Sequence, residues 1–297
     1  MTAKLNSKSV AAIVLAYSRL DTLKDLIESL KMQTRRPDEI IVLFQGSNEE
    51  IWGWLSQQAE ITVFRQKNAG SAGGFSKCIQ YSIHRGHDWT WIFDDDAIPD
   101  NYALEHLVEC KYFLEPTTGF ISSRIENPKG QTYMSPVPAD SRYWYGTVLE
   151  TGCVQCIRST WLGLLVSTEA VKKCGLPIEE YFLWDEDQEF TARIATNFKC
   201  YCALRSKITH YQESDFDPKR SGDAIKYNYW IRNRVCTIWR SNSNFLSKFG
   251  QTGIWGYRAF IKVLTLKAPA KSILCLLYGI FFFRPKIRYL SNDNDKL

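Results

Sequence analysis

Two groups of acidic residues in this chain have the spacing to do chemistry. The first is the uninterrupted triplet Asp94-Asp95-Asp96, which ends the apolar run Trp89, Trp91, Ile92, Phe93 and precedes Ala97-Ile98-Pro99. Three adjacent carboxylates at the end of a buried strand repel one another, and a bound cation relieves the repulsion. Hard divalent ions take oxygen ligands, and magnesium or manganese typically bridges one or two protein carboxylates to substrate phosphates. The outer carboxylates can share such an ion and its diphosphate ligand, which points to a nucleotide-activated substrate. Taken alone, the triplet reads equally well as an aspartate-rich turn capping the next helix. The second group, Asp185-Glu186-Asp187-Gln188-Glu189, opens a helix. A helix dipole favours anions in the first turn and accounts for part of this cluster. It does not account for the aromatic residues just before it, Tyr181, Phe182 and Trp184. An apolar wall raises a carboxylate's pKa and offers a face to a sugar ring, and both suit a general base acting on a hydroxyl.

The elements that must position these groups follow from hydropathy. Val10 to Tyr17 is a continuous apolar run, as expected of a strand buried on both faces. Asp21 can cap a helix whose apolar stripe is Leu23, Leu26, Ile27 and Leu30. Strands are predicted at Glu39–Phe44, Ile61–Arg65 and Asp88–Phe93, with a helix from about Gly73 to Arg85. Alternating strands and helices imply right-handed crossovers and a mostly parallel sheet, which binds ligands beyond the carboxyl ends of its strands. Tyr17-Ser18-Arg19, Gln45-Gly46-Ser47 and the triplet all occupy such ends and should share one rim. Further on, Tyr143 to Ile157 reads as an antiparallel strand, Thr168 to Cys174 and Asp185 to Thr196 as helices, and Lys199 to Leu204 as a strand. Helices fill Asp223 to Leu290.

Charge divides the chain. Of 297 residues with a net charge of +5, the stretch Ala224–Asn292 holds 12 Lys and Arg and no acid, leaving 25 basic against 32 acidic residues elsewhere, a net of −7. A basic, aromatic tail on an acidic body needs an anionic partner, membrane or nucleic acid. No signal peptide is visible, so the nine cysteines are expected to be reduced thiols in the cytosol. Cys153 and Cys156 have CxxC spacing, but Cys200 and Cys202 are spaced by one residue and do not repeat it, which argues against zinc.

Several segments, in order, resemble the inverting, metal-dependent family-2 glycosyltransferases, and within them the bacterial galactofuranosyltransferase-like, rhamnosyltransferase-related branch. They are Val14-Leu15-Ala16-Tyr17-Ser18-Arg19, Asn68-Ala69-Gly70-Ser71-Ala72-Gly73-Gly74-Phe75, Trp89 to Pro99, Gly175-Leu176-Pro177 through Glu189-Phe190, and Tyr227-Asn228-Tyr229-Trp230-Ile231-Arg232-Asn233. The resemblance implies a nucleotide-diphospho-sugar transferase fold of GT-A type: an α/β, Rossmann-like, mostly parallel sheet with flanking helices and a C-terminal helical extension. It places a catalytic domain at 1–222, divided into a nucleotide-sugar half to about 125 and an acceptor half, and a basic amphipathic tail at 223–297.

The resemblance also assigns roles. Asp94 and Asp96, completed by His210, would hold Mn2+ or Mg2+ and, through it, the donor diphosphate, with Asp95 beside the donor. Asp187 would be the catalytic base. Arg19, Gln45 and Asn68 resemble nucleotide contacts, although Phe44-Gln45 replaces the Asp-Asn or Asp-Gly usual after this strand in the wider family. Trp144 would line the donor pocket, and Trp161, Trp184 and Glu186 the acceptor pocket. The expected reaction is transfer of galactofuranose from UDP-galactofuranose to a polyprenyl- or lipid-linked surface polysaccharide of O-antigen type, with a dTDP-rhamnose donor as the rival.

Ser272 to Phe283 is too short a run to span a bilayer. Arg258, Lys262, Lys267 and Lys271, beside Trp255, Phe260, Ile261 and Leu264, form a basic amphipathic pattern suited to an anionic membrane surface. The expected location is therefore cytoplasmic, peripherally attached to the inner face of the cell membrane. A nucleic-acid-binding protein is the reading from another class. It leaves both acidic groups unused and has no recognition-helix or zinc-finger signature to support it, so nucleic acid is not expected as a partner.

Overall fold

A computed structural model of the chain describes residues 8–133, 136–139, 142–211, 219 and 221–290. Gln212, which the sequence places in the loop after His210, lies outside the described residues. Strands β1 (Val10–Ala16), β2 (Glu39–Phe44), β3 (Thr62–Arg65) and β4 (Trp89–Asp94) run parallel in the order β3-β2-β1-β4. Helices α1 (Leu20–Lys31), α2 (Glu49–Ser56) and α3 (Gly70–His84) connect them. Every residue of β1 is buried, because alternate side chains enter two different cores. Val10, Ala12 and Val14 meet Leu23, Leu26 and Trp91 on one face, while Ala11, Ile13 and Leu15 meet Phe75, Ile79 and Phe190 on the other. The α1 stripe buries Leu23, Leu26, Ile27 and Leu30 as its spacing predicts. Its N-cap is Arg19 rather than Asp21, which lies inside the first turn and acts through the dipole instead.

Beyond β4 the sheet becomes mixed. The next elements are β5 (Ala97–Pro99), α4 (Ala103–Val108), β6 (Thr118–Glu126), β7 (Val137–Pro138), α5 (Trp144–Thr151), β8 (Cys153–Arg158) and β9 (Leu164–Ser167). They are followed by α6 (Thr168–Cys174), α7 (Glu186–Asn197) and β10 (Lys199–His210). β9 runs antiparallel between β4 and β6, and β10 pairs parallel with β6 and antiparallel with β8 and β5. The sequence expectation of one strand over Tyr143–Ile157 is corrected. Its first half is helix α5, which buries no residue, and only the stretch from Cys153 pairs into the sheet. Aromatic content suggested a strand, but β-propensity reflects packing on a half-buried surface, which this segment lacks.

Three helices close the described chain: α8 (Ser221–Arg240), α9 (Phe245–Val263) and α10 (Pro269–Phe281). Tyr227 and Ile231 of α8 pack against Ala259 and Val263 of α9. α10 crosses α8 so closely that a Cβ on Gly279 would lie 2.8 Å from the Arg232 carbonyl oxygen. The chain then returns to the sheet: Phe283 packs against Tyr181, and the Arg288 carbonyl accepts the Leu176 N–H at 2.8 Å. The boundary expected near residue 222 thus separates stretches of sequence whose side chains interlock. No described helix is long and apolar enough to cross a membrane. All nine cysteines are free, and among the described residues neither the CxxC pair nor any other His, Cys, Asp or Glu group of three or more is gathered into a ready metal site.

Candidate active site

The triplet stands where β4 ends, and its three carboxylates take different parts. Asp95 is buried and turned inward: Oδ2 accepts the Tyr17 N–H at 3.0 Å and Oδ1 accepts Arg19 Nη1 at 2.8 Å. Burial raises its pKa, while Arg19 and the Tyr17 amide oppose the rise. Asp95 therefore ties the loop after β1 to the loop after β4, and the oxygens expected to face the donor are engaged within the protein. Arg19 also reaches Asp96 Oδ2 at 3.2 Å.

Asp96 is brought to His210 by backbone pairing. In the antiparallel β5–β10 ladder His210 lies opposite Ala97, and the Tyr211 N–H donates to the Asp96 carbonyl at 2.8 Å. His210 Nε2 then sits 3.4 Å from Asp96 Oδ1. Nδ1 of the same ring is hydrogen-bonded to the Tyr133 hydroxyl. Burial pushes the Asp96 carboxyl up, but His210 and Arg19 outweigh it and hold the group below the usual carboxylate range. Tyr133 fixes the ring orientation from behind, an arrangement common for histidines at metal sites. Nothing in the sequence around Tyr133 signals this contact.

Asp94 differs from both neighbours. Among the described residues it has no hydrogen-bond or ion-pair partner. Burial pushes its carboxyl well above the ordinary range, and Asp96, Asp95, Glu186 and Asp187 all push in the same direction. The two acidic groups, far apart in sequence, are therefore close enough in the fold for their charges to act on one another. A carboxylate surrounded only by like charge, next to an Asp96–His210 pair, offers the oxygen and nitrogen donors that manganese or magnesium accepts. Asp94, Asp96 and His210 are of the donor types a divalent ion takes, although among the described residues they are not gathered into a ready three-ligand site.

The second group is set by an unusual backbone. Phe182, Trp184 and Asp185 have φ of 64°, 66° and 73°, and no other described non-glycine residue has positive φ. Left-handed conformations of this kind cost on the order of 1–3 kcal/mol each and persist where the surroundings enforce them. Here the enforcement comes from α8. Asn233, fully buried, donates through Nδ2 to the carbonyls of Tyr181, Leu183 and Trp184 at 3.0, 3.0 and 2.7 Å. Arg232 Nη2 reaches the carbonyls of Glu180 and Tyr181 at 2.8 and 2.9 Å, and Arg234 Nη1 pairs with Asp185 Oδ1 at 2.7 Å. From the other side α3 supports the same loop. The Ala72 N–H donates to the Phe182 carbonyl at 3.1 Å, and Gly70, at φ +72°, lies so close that a Cβ would be 1.9 Å from that oxygen.

This loop delivers Glu186 and Asp187 at the start of α7. Glu186 is buried and accepts hydrogen bonds from the Ser71 hydroxyl and from Trp161 Nε1, the latter at 3.2 Å. Trp161 is itself buried between Phe75 and Phe190, so it reaches the site as a support for Glu186 rather than as an open wall. Asp187 is half-buried, with Oδ1 accepting the Gln188 N–H at 2.7 Å. Burial pushes its carboxyl well above the ordinary range, and Glu186 and Asp185 add to the rise.

The remaining expected residues divide. Gln45 lines a cleft of about 570 Å3 at the strand ends, together with Tyr17, Ser47 and Asn68. Its amide is largely consumed within the protein: Oε1 accepts from Gln66 Nε2 at 2.9 Å and from the Ala69 N–H at 2.8 Å, and Nε2 donates to the Gly70 carbonyl at 3.0 Å. One N–H of four hydrogen-bonding positions is left to read a base. Exposed Asn68 caps the turn into α3, accepting the Gly70 N–H at 2.8 Å. Trp184 points into the α8–α9 cluster, edge-on to Trp230 at 6.3 Å. Trp144 stands exposed on α5, edge-on to Tyr145.

Comparison with known proteins agrees with this architecture. Residues 11–152 match the family described as Glycosyl transferase family 2. The chain is 27% identical over 255 residues to "Galactofuranosyltransferase GlfT1" of Mycolicibacterium smegmatis, covering 77% of this chain and 82% of that protein. It is 30% identical over 129 residues to the protein of the same name from Mycobacterium tuberculosis, covering 41% of this chain and 42% of that one. Among solved structures, GalNAc-T7 with UDP, GalNAc and Mn2+ aligns with a TM-score of 0.61 at 14% identity, covering 78% of this chain and 47% of that one. TarS of S. aureus aligns with a TM-score of 0.56 at 14% identity, covering 81% and 41%. The chain spans under half the length of these two structures, and they show the fold it shares with GT-A glycosyltransferases. Residues 11–152 thus carry a glycosyltransferase family 2 domain, within a chain that has the GT-A fold.

Proposed function

We propose that this protein is a metal-dependent, inverting glycosyltransferase that moves galactofuranose from UDP-galactofuranose to a lipid-linked glycan at the cytoplasmic face of a membrane. The observation that carries this reading is the nearness of the two acidic groups, Glu186 and Asp187 acting on Asp94 to push its carboxyl up. The group after β4 suits a donor diphosphate, and the group at the first turn of α7 presents a carboxylate to an acceptor. A divalent cation held by Asp94, Asp96 and His210 would supply Lewis-acid neutralisation of charge on the leaving diphosphate. Asp187 takes the proton from the acceptor hydroxyl. The hydroxyl oxygen then bonds to the anomeric carbon as the bond from that carbon to the diphosphate oxygen breaks. A single displacement of this kind inverts the anomeric configuration. Glu186, fixed by Ser71 and Trp161, keeps the α7 terminus in place and maintains the negative field that favours proton uptake by Asp187. The choice of UDP-galactofuranose follows the names of the relatives, and dTDP-rhamnose is the donor to test against it.

Attachment to an anionic membrane fits the C-terminal helices. α9 exposes Leu246, Phe249, Tyr257 and Leu264 around Lys248, Arg258 and Lys262, and α10 exposes Leu274, Phe281 and Phe282. An apolar surface of this extent with basic flanks is what interfacial helices use to enter a leaflet.

The experiment is a transfer assay with both donors, a lipid-linked acceptor and manganese, with the product anomer read by NMR. Base catalysis contributes about 10²–10⁴-fold, so Asp187→Asn should lose at least that much while still binding donor. Transfer by Asp187→Asn at close to the parental rate, or retained anomeric configuration, would refute the mechanism.

A further inference from the structure

We infer that the protein has a second anion site, a cavity between α7, α8 and α9 in which Arg158, Arg234 and Arg258 bind the diphosphate of the acceptor. The identity of the ligand as an acceptor group rests on the transferase reading above. The site itself rests on geometry.

The cavity has a volume of about 660 Å3 and is walled by β8, α7, α8 and α9. Five arginines line it: Arg193 is paired with Glu189, Arg240 donates to the Pro285 carbonyl, and the other three come from three separate elements, Arg158 from the end of β8, Arg234 from α8 and Arg258 from α9. Arg234 is held in place by Asp185 at 2.7 Å. Arg158 lies near enough to that pair to feel both charges, yet neither it nor Arg258 has a side-chain hydrogen bond or ion pair among the described residues. The carboxylate on the wall, Glu189, is already taken by the guanidinium of Arg193 at 2.9 and 3.0 Å. The cavity therefore carries uncompensated positive charge on planar, forked donors, some of it only partly exposed to water. Guanidinium forks match phosphate oxygens bidentately, and several of them converging on one volume suit a diphosphate better than an isolated carboxylate.

A neighbouring hollow of about 540 Å3 shares Arg234, Trp255 and Arg258 and adds Trp230, Tyr257 and Lys262. Basic and aromatic surface thus continues from the cavity to the part of α9 that exposes Ile254 and Tyr257. A lipid-linked acceptor has this order of parts: an apolar chain, then a diphosphate, then sugars, of which one presents the reacting hydroxyl. The position agrees with that order. Asp185, which anchors Arg234, precedes Asp187 by two residues, while the cavity lies along the α7 face bearing Glu189 and Arg193. A diphosphate there is set apart from the base, as intervening sugar rings require. The donor diphosphate has its own place at Asp94 and Asp96, so the two phosphate groups do not compete.

The test uses the full chain, with Arg158→Gln, Arg258→Gln and the conservative Arg158→Lys. Binding is measured with chelator present, so that the acid cluster repels anions instead of holding them through a cation. The probes are inorganic pyrophosphate, phosphatidylcholine vesicles carrying a polyprenyl diphosphate, and phosphatidylcholine vesicles carrying phosphatidylglycerol. We expect pyrophosphate and polyprenyl diphosphate to bind, each at least tenfold more weakly in either Gln variant and partly restored in Arg158→Lys. Unaltered binding of both probes in the Gln variants, at unchanged melting temperature, overturns the site. Binding to phosphatidylglycerol vesicles alone overturns it in favour of a headgroup surface. If the site binds but no sugar is transferred with any donor, the transferase reading fails and the anion site stands. In the transfer assay, the preference for a diphosphate-linked acceptor over the same glycan lacking the diphosphate should fall at least tenfold in Arg158→Gln.

Discussion

Replacing Asn233 by Ala tests whether α8 sets Asp187, the proposed catalytic base. Asn233 has no exposed surface, and its amide nitrogen serves three consecutive-turn carbonyls, those of Tyr181, Leu183 and Trp184. Its Oδ1 in turn accepts from Arg232 Nε and Nη2 at 2.9 and 2.8 Å. A buried carbonyl that loses its donor costs about 1–3 kcal/mol, and the amide has two N–H groups to lose, so the loop should be destabilised by about 2–6 kcal/mol. The left-handed residues Phe182, Trp184 and Asp185 lose the contact that holds them, and the loop relaxes toward ordinary φ. Asp187 follows directly, and a misplacement of about 1 Å at a reacting group can cost about 10²-fold in rate. The assay pairs kcat for sugar transfer with hydrogen exchange at Ala72, whose N–H bonds the Phe182 carbonyl. We expect kcat to fall about 10²-fold or more and that amide to lose protection, with KM for the donor nearly unchanged. Asn233→Asp keeps the shape and the acceptor for Arg232 but removes both donors, so it should fail as Ala does. If either variant keeps kcat within about threefold of the parent and Ala72 stays protected, α8 is not what positions the base.

Asp94→Asn takes away a carboxyl on which Asp96, Asp95, Glu186 and Asp187 all act with like charge. Like charges about 6–15 Å apart repel by about 1–3 kcal/mol at an effective dielectric near 20, so the variant should melt higher than the parent in chelator and lose the stabilisation that manganese gives the parent. A lower melting temperature in chelator would show that Asp94 is not held against repulsion. For pH, Asp187 must be ionised to accept a proton and its pKa is raised, so kcat should increase with pH along a limb lying above the ordinary carboxylate range. A rate already at its plateau near pH 4 would exclude Asp187 as the group seen. Leu246 and Phe249 are largely exposed on α9. Burying such a side chain yields about 1.5–3 kcal/mol, so changing both to Ser should weaken binding to anionic vesicles by 10²-fold or more, and unchanged co-sedimentation would remove α9 from the membrane surface.

The parallel half of the fold was legible because its signals are local. β1 is apolar throughout since both its faces are covered, and α1 announced its buried face by spacing. The acid groups were legible as unusual charge density, and their joint order with the other segments pointed to the family. What could not be read was pairing over distance. Nothing near Asp96 signals that the β5–β10 register brings His210 alongside, and only the resemblance placed that residue at the site. Strand β9 is short, apolar and antiparallel, and its slot between β4 and β6 is fixed by tertiary contacts. Side-chain direction was equally hidden. Gln45 and Asp95 occupy the expected strand ends but turn their polar atoms into the scaffold, and Trp161 serves from beneath. Residue type at a rim says what chemistry is available, while the hydrogen-bond partners decide whether it is spent on structure.

The return of the chain beneath α7 has a consequence for synthesis. Leu176 and Gly175, which lead into the loop of the base, are closed over by Ile287 and Arg288, and Arg288 also bonds Glu179. A ribosome making this protein completes the parallel sheet and both acidic groups long before residue 288 emerges. Until then the loop that leads into α7 lacks the contacts with Ile287 and Arg288 that close over Gly175 and Leu176.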